Sequence, residues 1–404
     1  MTQTQTVVIL GAGWTGLPLA HKLLKHTLPK TSLKVVLVTP NSRFFWNVAA
    51  TRGLIPGEIP DDDLFLPIAP GFSRYPAEAF ELVLGRANRV DETANTVSIT
   101  TNDGVTRDIQ YAHLVIATGS SLASGLPLKP LGSDEQTLDA WHDLQQRIAS
   151  ATSIVIAGAG PTGVEVAGEL AAKYGSSKKI TLISSGSKPL LTTTVPTTKT
   201  TTTPLHPALL TTVSQDLQTL NITLLPNTRV TTALPPTTSS QQFTLTLSTN
   251  ETLTADLYLP LHGIIPNTSF LPSHLLDPHG NVLQDPHLRA AGTTNIWALG
   301  DVGNTEAKQL TLTDAQIVHV AKALDTVLTA TVDGDGKEGE VGLPVYVPEK
   351  KTMVFLALGR RFATGQIGGW RLWGWLVAWV KGRRLFVDTA RGYVGGERLR
   401  HGAM

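Results

Sequence analysis

An α/β fold of two successive strand–glycine turn–helix units, closed by a small C-terminal α/β piece, is what this sequence predicts. Three stretches predict it. Val7-Val8-Ile9-Leu10-Gly11-Ala12-Gly13-Trp14-Thr15-Gly16 and Ile154-Val155-Ile156-Ala157-Gly158-Ala159-Gly160-Pro161-Thr162-Gly163 each set four apolar residues ahead of a G-x-G-x-x-G turn, with a helical pattern after it. Asn295-Ile296-Trp297-Ala298-Leu299-Gly300-Asp301 is a third buried-strand pattern, and it ends in Gly-Asp.

The turn motif carries meaning only with a strand before it and a helix after it, as here. Gly11 permits the tight turn, Gly13 lets backbone approach a pyrophosphate, and Gly16 lets the helix pack close to the strand. The helix N-terminus then offers unpaired N–H groups to phosphates. Gly11, Ala12, Gly13, Trp14, Thr15 and Gly16 therefore predict one dinucleotide site, and Gly158, Gly160 and Gly163 predict a second. Two such turns 147 positions apart point to a flavin and a nicotinamide nucleotide in two Rossmann-like domains. Asp301 reads alone as a strand-end cap. Beside two dinucleotide turns it reads as an acceptor for a flavin's ribityl hydroxyls.

Composition removes other classes. A chain of 404 residues is too long for one core. A net charge of +1 gives no global case for nucleic-acid binding. With no cysteine there is no disulfide, no thiolate metal site and no dithiol relay, and no metal is expected. The first strand is under way by Val7, so no signal or transit peptide is expected. No run of about 20 apolar residues predicts a transmembrane helix. The expected location is cytoplasmic and not secreted.

Val35-Val36-Leu37-Val38 predicts the second strand of the first unit. Thr39-Pro40-Asn41 stands where an acid usually holds the ribose, which leaves Asn41 or Ser42 for that contact. Phe44-Phe45-Trp46-Asn47-Val48-Ala49-Ala50-Thr51-Arg52-Gly53 has two readings: a buried aromatic patch, or a loop against a flavin with Arg52 on a phosphate. Residues 81–87 read as a strand, and 96–101 with 107–110 as a hairpin about Asn102-Asp103-Gly104. His113-Leu114-Val115-Ile116-Ala117-Thr118-Gly119 is a strand running into a small-residue turn. In the second unit Glu165 is either an acid in the first helical turn or a group at the meeting point of nicotinamide and isoalloxazine.

Ile183-Ser184-Ser185-Gly186 carries no acid at the second ribose position, and Lys188 is near, so NADPH should be tolerated beside NADH. Residues 192–204 and 235–242 read as low-complexity loops. Strands follow at 242–247 and 252–259. A helix is expected over 311–328, carrying Gln316, His319 and Lys322, and a Gly/Asp/Glu-rich loop over 332–342. A hairpin about Gly359-Arg360-Arg361 should join 353–358 to 363–367. Residues 369–384 hold four of the eight tryptophans and a basic end. They read either as an interfacial helix at a membrane surface or as a helix packed on the first unit.

Taken together, these stretches resemble the apoptosis-inducing-factor-like flavoproteins, in particular the mitochondrion-associated death-inducer or ferroptosis-suppressor type of NAD(P)H:quinone oxidoreductase. That is the pyridine nucleotide-disulfide oxidoreductase fold without its redox disulfide. The resemblance runs from the first glycine turn through residues 47–52, Ala117-Thr118-Gly119, Gly158 to Glu165 and Gly300-Asp301 to Lys381-Gly382-Arg383-Arg384-Leu385-Phe386-Val387. It implies FAD contacts at Gly11 to Gly16, Arg52, Ala87, Thr118, Gly119, Gly300 and Asp301. It implies catalytic roles for Glu165 and Lys381 at the reacting face. One departure is Leu261-His262-Gly263, where relatives often carry Ala-Thr-Gly.

The implied domains are 1–125 and 285–335 for FAD, 126–284 for NAD(P) and 340–404 for the C-terminal piece. The implied reaction takes electrons from NADH or NADPH through FAD to a quinone or quinone-like acceptor. A tailoring oxidoreductase of small-molecule biosynthesis and a redox-sensing signalling flavoprotein are the alternatives. A peripheral contact through 370–384, at the mitochondrial outer face or a lipid droplet, would fit a lipid-dissolved quinone.

Overall fold

The computed structural model describes residues 4–191, 203–237, 241–330, 342–397 and 399. The loops expected at 192–204 and 332–342 lie outside them, apart from residues 203, 204 and 342. In chain order the first unit opens with β1 (Gln5–Leu10) and α1 (Gly16–Lys22), which continues as a wider turn over Leu23–Thr27. It goes on through β2 (Leu33–Thr39), the short helix α2 (Ala50–Gly53), β3 (Phe80–Asp91), β4 (Thr96–Thr101), β5 (Thr106–Gln110) and β6 (His113–Ile116). Helix α3 (Asp134–Ser150) leads to β7 (Ser153–Ala157), α4 (Pro161–Tyr174), β8 (Lys179–Ile183), β9 (Thr223–Leu225) and β10 (Leu257–Pro260). The chain then returns through β11 (Ile296–Ala298) and α5 (Leu310–Thr329).

Two separate sheets result, in the orders β11-β6-β1-β2-β3-β4-β5 and β9-β8-β7-β10. Each glycine turn follows a strand flanked on both sides by parallel neighbours. In the first sheet Val7, Ile9, Val35 and Leu37 pack on one face, while Val8, Leu10, Val36 and Val38 pack on the other. Side chains alternate between faces and both faces are covered, so these strands read as unbroken apolar runs. The fold is the two-unit Rossmann-like α/β class that the sequence predicts.

α3, placed by sequence at the start of the second unit, packs on the first: Trp141 is fully buried, 5.5 Å from the Phe45 ring and 6.0 Å from Phe65. Leu271, Leu275 and Val282 already share a core with β1 and β6, ahead of the expected return at 285.

The C-terminal piece is a meander, β12 (Met353–Leu358), β13 (Phe362–Ile367) and β14 (Trp370–Leu372), followed by α6 (Gly374–Val377), a wide turn over Ala378–Gly382 and α7 (Val387–Val394). The single Trp-rich helix is therefore corrected. Gly368 turns the chain at φ +56°, and Trp370 pairs with Ile367 in a strand. The tryptophans are not packed inward either: Trp370, Trp373, Trp375 and Trp379 are 82%, 71%, 68% and 63% exposed. Among the described residues no helix is long and apolar enough to cross a membrane.

Candidate functional site

The two glycine turns are built alike. Gly11 sits at φ +105°, and a Cβ there would lie 2.3 Å from the Ala117 carbonyl oxygen. Gly158 sits at φ +113°, and a Cβ there would lie 2.7 Å from the Leu261 carbonyl oxygen. Neither the backbone angle nor the space admits a side chain. Leu261-His262-Gly263 thus closes the second turn as Ala117-Thr118-Gly119 closes the first, with Gly263 and Gly119 both at positive φ. The departure at His262 leaves that packing intact. Gly16 and Gly163 press on their own turns, where a Cβ would meet the carbonyl oxygens of Gly11 and Gly158 at 1.9 and 1.8 Å. Gly13 and Gly160 face open space instead, with nothing within 4 Å of a built Cβ.

That open space belongs, on the first side, to a cavity of about 1390 Å³. Gly11, Ala12, Gly13, Trp14 and Thr15 line it, with Ala87, Thr118, Gly119, Gly300 and Asp301. It continues to Pro161, Thr162 and Glu165 at the start of α4 and to Lys381. One cavity therefore joins the first glycine turn to the N-terminal turn of the second helix. Gly16, Gly158, Gly160 and Gly163 are not in its wall; they shape the turns behind it. Asn41 is in the wall and Ser42 is not, because the Ser42 hydroxyl donates to Asp134 at 2.7 Å.

Asp301 puts a carboxylate in the cavity wall beside the first glycine turn. Its carboxylate accepts from the Ser120 hydroxyl at 2.6 Å and the Lys129 ammonium at 2.7 Å. Lys308 donates to its backbone carbonyl and to Asn281. Burial alone would raise the Asp301 carboxyl. The Lys129 charge, the two hydrogen bonds and the Lys308 charge outweigh it and hold the carboxyl below the usual range. Lys129 escapes a sequence reading, because no motif marks a lysine that closes on an aspartate 172 positions away, and no motif marks Lys308 seven positions beyond Asp301 either. Arg43 and Arg86 also line the cavity without a motif to announce them.

At the far end Glu165 Oε1 accepts from the Lys381 ammonium at 2.6 Å and from the Ala357 amide at 2.9 Å. Lys381 Nζ also donates to the Phe355 carbonyl at 2.8 Å. Sequence reasoning named both residues, and the fold brings them into contact from 216 positions apart. The same contact removes Lys381 from any surface role: it is 9% exposed and turned inward. Phe355, Met353, Val354 and Phe386 give this end an apolar wall.

Two expectations fail on geometry. Arg52 reaches no phosphate position. It is 2% exposed, outside the cavity wall, and closed on Glu169 by two 2.8 Å bonds, from Nε to Oε2 and from Nη2 to Oε1. α2 directs the side chain at α4, where a buried carboxylate gives a guanidinium a bidentate partner. Burial pushes the Glu169 carboxyl upward, against the pull of Arg52. Of the aromatic stretch before Arg52, Phe44 and Phe45 are buried, and they also line the cavity with Asn47, Val48 and Thr51. Ser184 is the second failure. It is 1% exposed and its hydroxyl donates to the Gly186 carbonyl at 3.0 Å, so only Ser185 remains to face a ribose.

The residues present fit an extended dinucleotide. An uncrowded glycine backbone, an ionised aspartate and flanking cations lie along one long cavity. Residues 5–334 match the family described as pyridine nucleotide-disulphide oxidoreductase. Over 97% of the chain it is 39% identical to the oxidoreductase ptaL of Pestalotiopsis fici, 99% of which is covered. Over 95% it is 26% identical to ferroptosis suppressor protein 1 of Xenopus tropicalis, 94% of which is covered. The solved sulfide:quinone oxidoreductase of Aquifex aeolicus superposes with a TM-score of 0.71 at 18% identity, over 98% of this chain and 93% of that one. The fold is that of FAD- and NAD(P)H-dependent oxidoreductases, with FAD as cofactor and NADH or NADPH as hydride donor.

Proposed function

The chain belongs to the pyridine nucleotide-disulphide oxidoreductase family, and within it we propose that this protein passes electrons from NAD(P)H through FAD to a quinone or quinone-like acceptor. The observation that carries the reading is the single cavity that joins the first glycine turn to Glu165 and Lys381. Names of similar proteins point the same way, since one similar structure is a sulfide:quinone oxidoreductase. Bound FAD supplies the acceptance of a hydride and its onward transfer as electrons. The chain supplies position and charge. Gly11 to Thr15 and Asp301 hold the flavin nucleotide, with Ala87, Thr118, Gly119 and Gly300 completing the wall. Pro161, Thr162 and Glu165 meet the nicotinamide. Lys381 Nζ donates to Glu165 Oε1 beside the apolar wall of Phe355 and Phe386.

With no cysteine in the chain, no thiol relay carries electrons outward, so the acceptor enters the cavity itself. The balance is one NAD(P)H and one proton consumed for each quinone taken to hydroquinone. Purified protein should oxidise NADPH steadily with a soluble quinone and much more slowly with oxygen alone. Turnover with no quinone tested, from protein that holds FAD, would favour the tailoring or sensing alternatives.

Coenzyme choice should lie at Ser185. Wild type is expected to use NADPH within about tenfold of NADH in kcat/KM, a gap of roughly 1.4 kcal/mol. Ser185→Glu should shift the ratio toward NADH by repelling a 2′-phosphate. An unchanged ratio would move the ribose site elsewhere.

The exposed tryptophans support a peripheral membrane contact. The Trp373 and Trp375 rings stack 6.1 Å apart. Residues 352–387 carry Arg360, Arg361, Arg371, Lys381, Arg383 and Arg384 with no acidic residue. With Lys381 turned inward and Arg384 donating to Asp388, Arg371 and Arg383 flank the aromatic patch, each worth about 1 kcal/mol at an anionic surface. Wild type should sediment with anionic liposomes at low salt, and Arg371→Ser, Arg383→Ser combined should release it. Wild type that stays in the supernatant refutes the contact.

A further inference from the structure

Three charged residues recur four apart on α4, Glu165, Glu169 and Lys173, and so share one face of the helix. Each is bound by a group from outside the second sheet. Glu165 takes Lys381 and the Ala357 amide. Glu169 takes Arg52, and Lys173 donates to Glu58 at 2.6 Å. β12 lies against α4 without a gap: a Cβ on Gly168 would meet the Leu358 side chain at 2.4 Å. Arg52 is the member that touches three segments at once. It stands on α2 of the first unit, grips Glu169 on the second, and gives Nη1 to the Arg383 carbonyl at 3.1 Å, two residues beyond Lys381.

We propose that Arg52 is a positioning residue for hydride transfer, fixing α4 and the Lys381 segment at one height over the flavin unit. The proposal rests on the hydride-transfer reading above. Glu169 lies one helical turn from Glu165, so a shift at the Arg52 pair moves the group that meets the nicotinamide. A misplacement of about 1 Å at such a junction is enough to slow a transfer by orders of magnitude.

Arg52→Met alone strands the buried Glu169 carboxylate and can fail to fold. The Arg52→Met, Glu169→Met double variant removes both charges and keeps the volume apolar. In anaerobic stopped flow the FAD-loaded double variant should be reduced by saturating NADPH roughly tenfold or more slowly than wild type. Its KM should change little, and its isotope effect with NADPH deuterated at the transferred position should be larger. Arg52→Lys, which keeps one bond to Glu169, should fall between. A double variant reduced at the wild-type rate overturns the proposal. So does one whose only defect is FAD loss, with a normal rate once reloaded, because Arg52 would then serve FAD binding. Wild type that NADPH fails to reduce removes the hydride-transfer reading and this role with it.

Discussion

Replacing Lys381 by methionine is expected to lower kcat with NADPH and a quinone by about 100-fold or more, with FAD content unchanged. Methionine keeps most of the apolar stem of Lys381 but removes the ammonium that Glu165 Oε1 accepts at 2.6 Å and the bond to the Phe355 carbonyl. Glu165 keeps the Ala357 amide, so its side chain stays anchored. What is lost is charge and a proton at the junction of the two nucleotide sites. Glu165→Gln is the matched test. It preserves an acceptor for Ala357 and Lys381 and removes the negative charge, so a defect of similar size assigns the effect to electrostatics rather than to packing. The two single variants act through one bond, and the double variant should be little worse than either. Losses that instead multiply would mean that the residues act separately.

The second large effect is at Asp301. Asp301→Ala should deprive bound FAD of a charge-assisted hydrogen bond worth about 1.5–3 kcal/mol. It also removes the carboxylate to which Lys129 donates, while Lys308 keeps its bond to the backbone carbonyl of that residue. FAD should dissociate about ten- to a hundredfold more readily, seen as apoprotein after gel filtration at dilution. Because the surrounding cations hold the Asp301 carboxyl below its ordinary value, its contribution should persist through neutral and mildly acidic pH. It should fade only as the pH falls through the lowered value. Retention of FAD by Asp301→Ala at the wild-type level would remove the aspartate from the flavin contacts.

What was legible in the sequence was what local chemistry fixes. Gly11 and Gly158 can be read because no other residue takes their φ against a neighbouring carbonyl, and Asp301 because it ends a buried strand with Gly-Asp. Pairings that depend on the fold were not legible. Arg52 looked like a phosphate ligand by its place after an aromatic run, yet its partner lies 117 residues on, at Glu169. Lys129 gave no signal at all. The tryptophans do not share one helix because Gly368-Gly369 reverses the chain into β14, which takes Trp370 before α6 begins at Gly374. Lys381 looked like one more basic flank of that segment as well as a site residue. Only the contact with Glu165 separates the two roles.

The central claim, two nucleotide sites meeting in one cavity at Glu165 and Lys381, is tested most directly by anaerobic titration of the purified, FAD-loaded protein with NADPH. One equivalent should bleach the visible flavin band, and a quinone added afterwards should restore it. Flavin that stays oxidised under excess NADPH and NADH, or protein that cannot be loaded with FAD, would contradict the account.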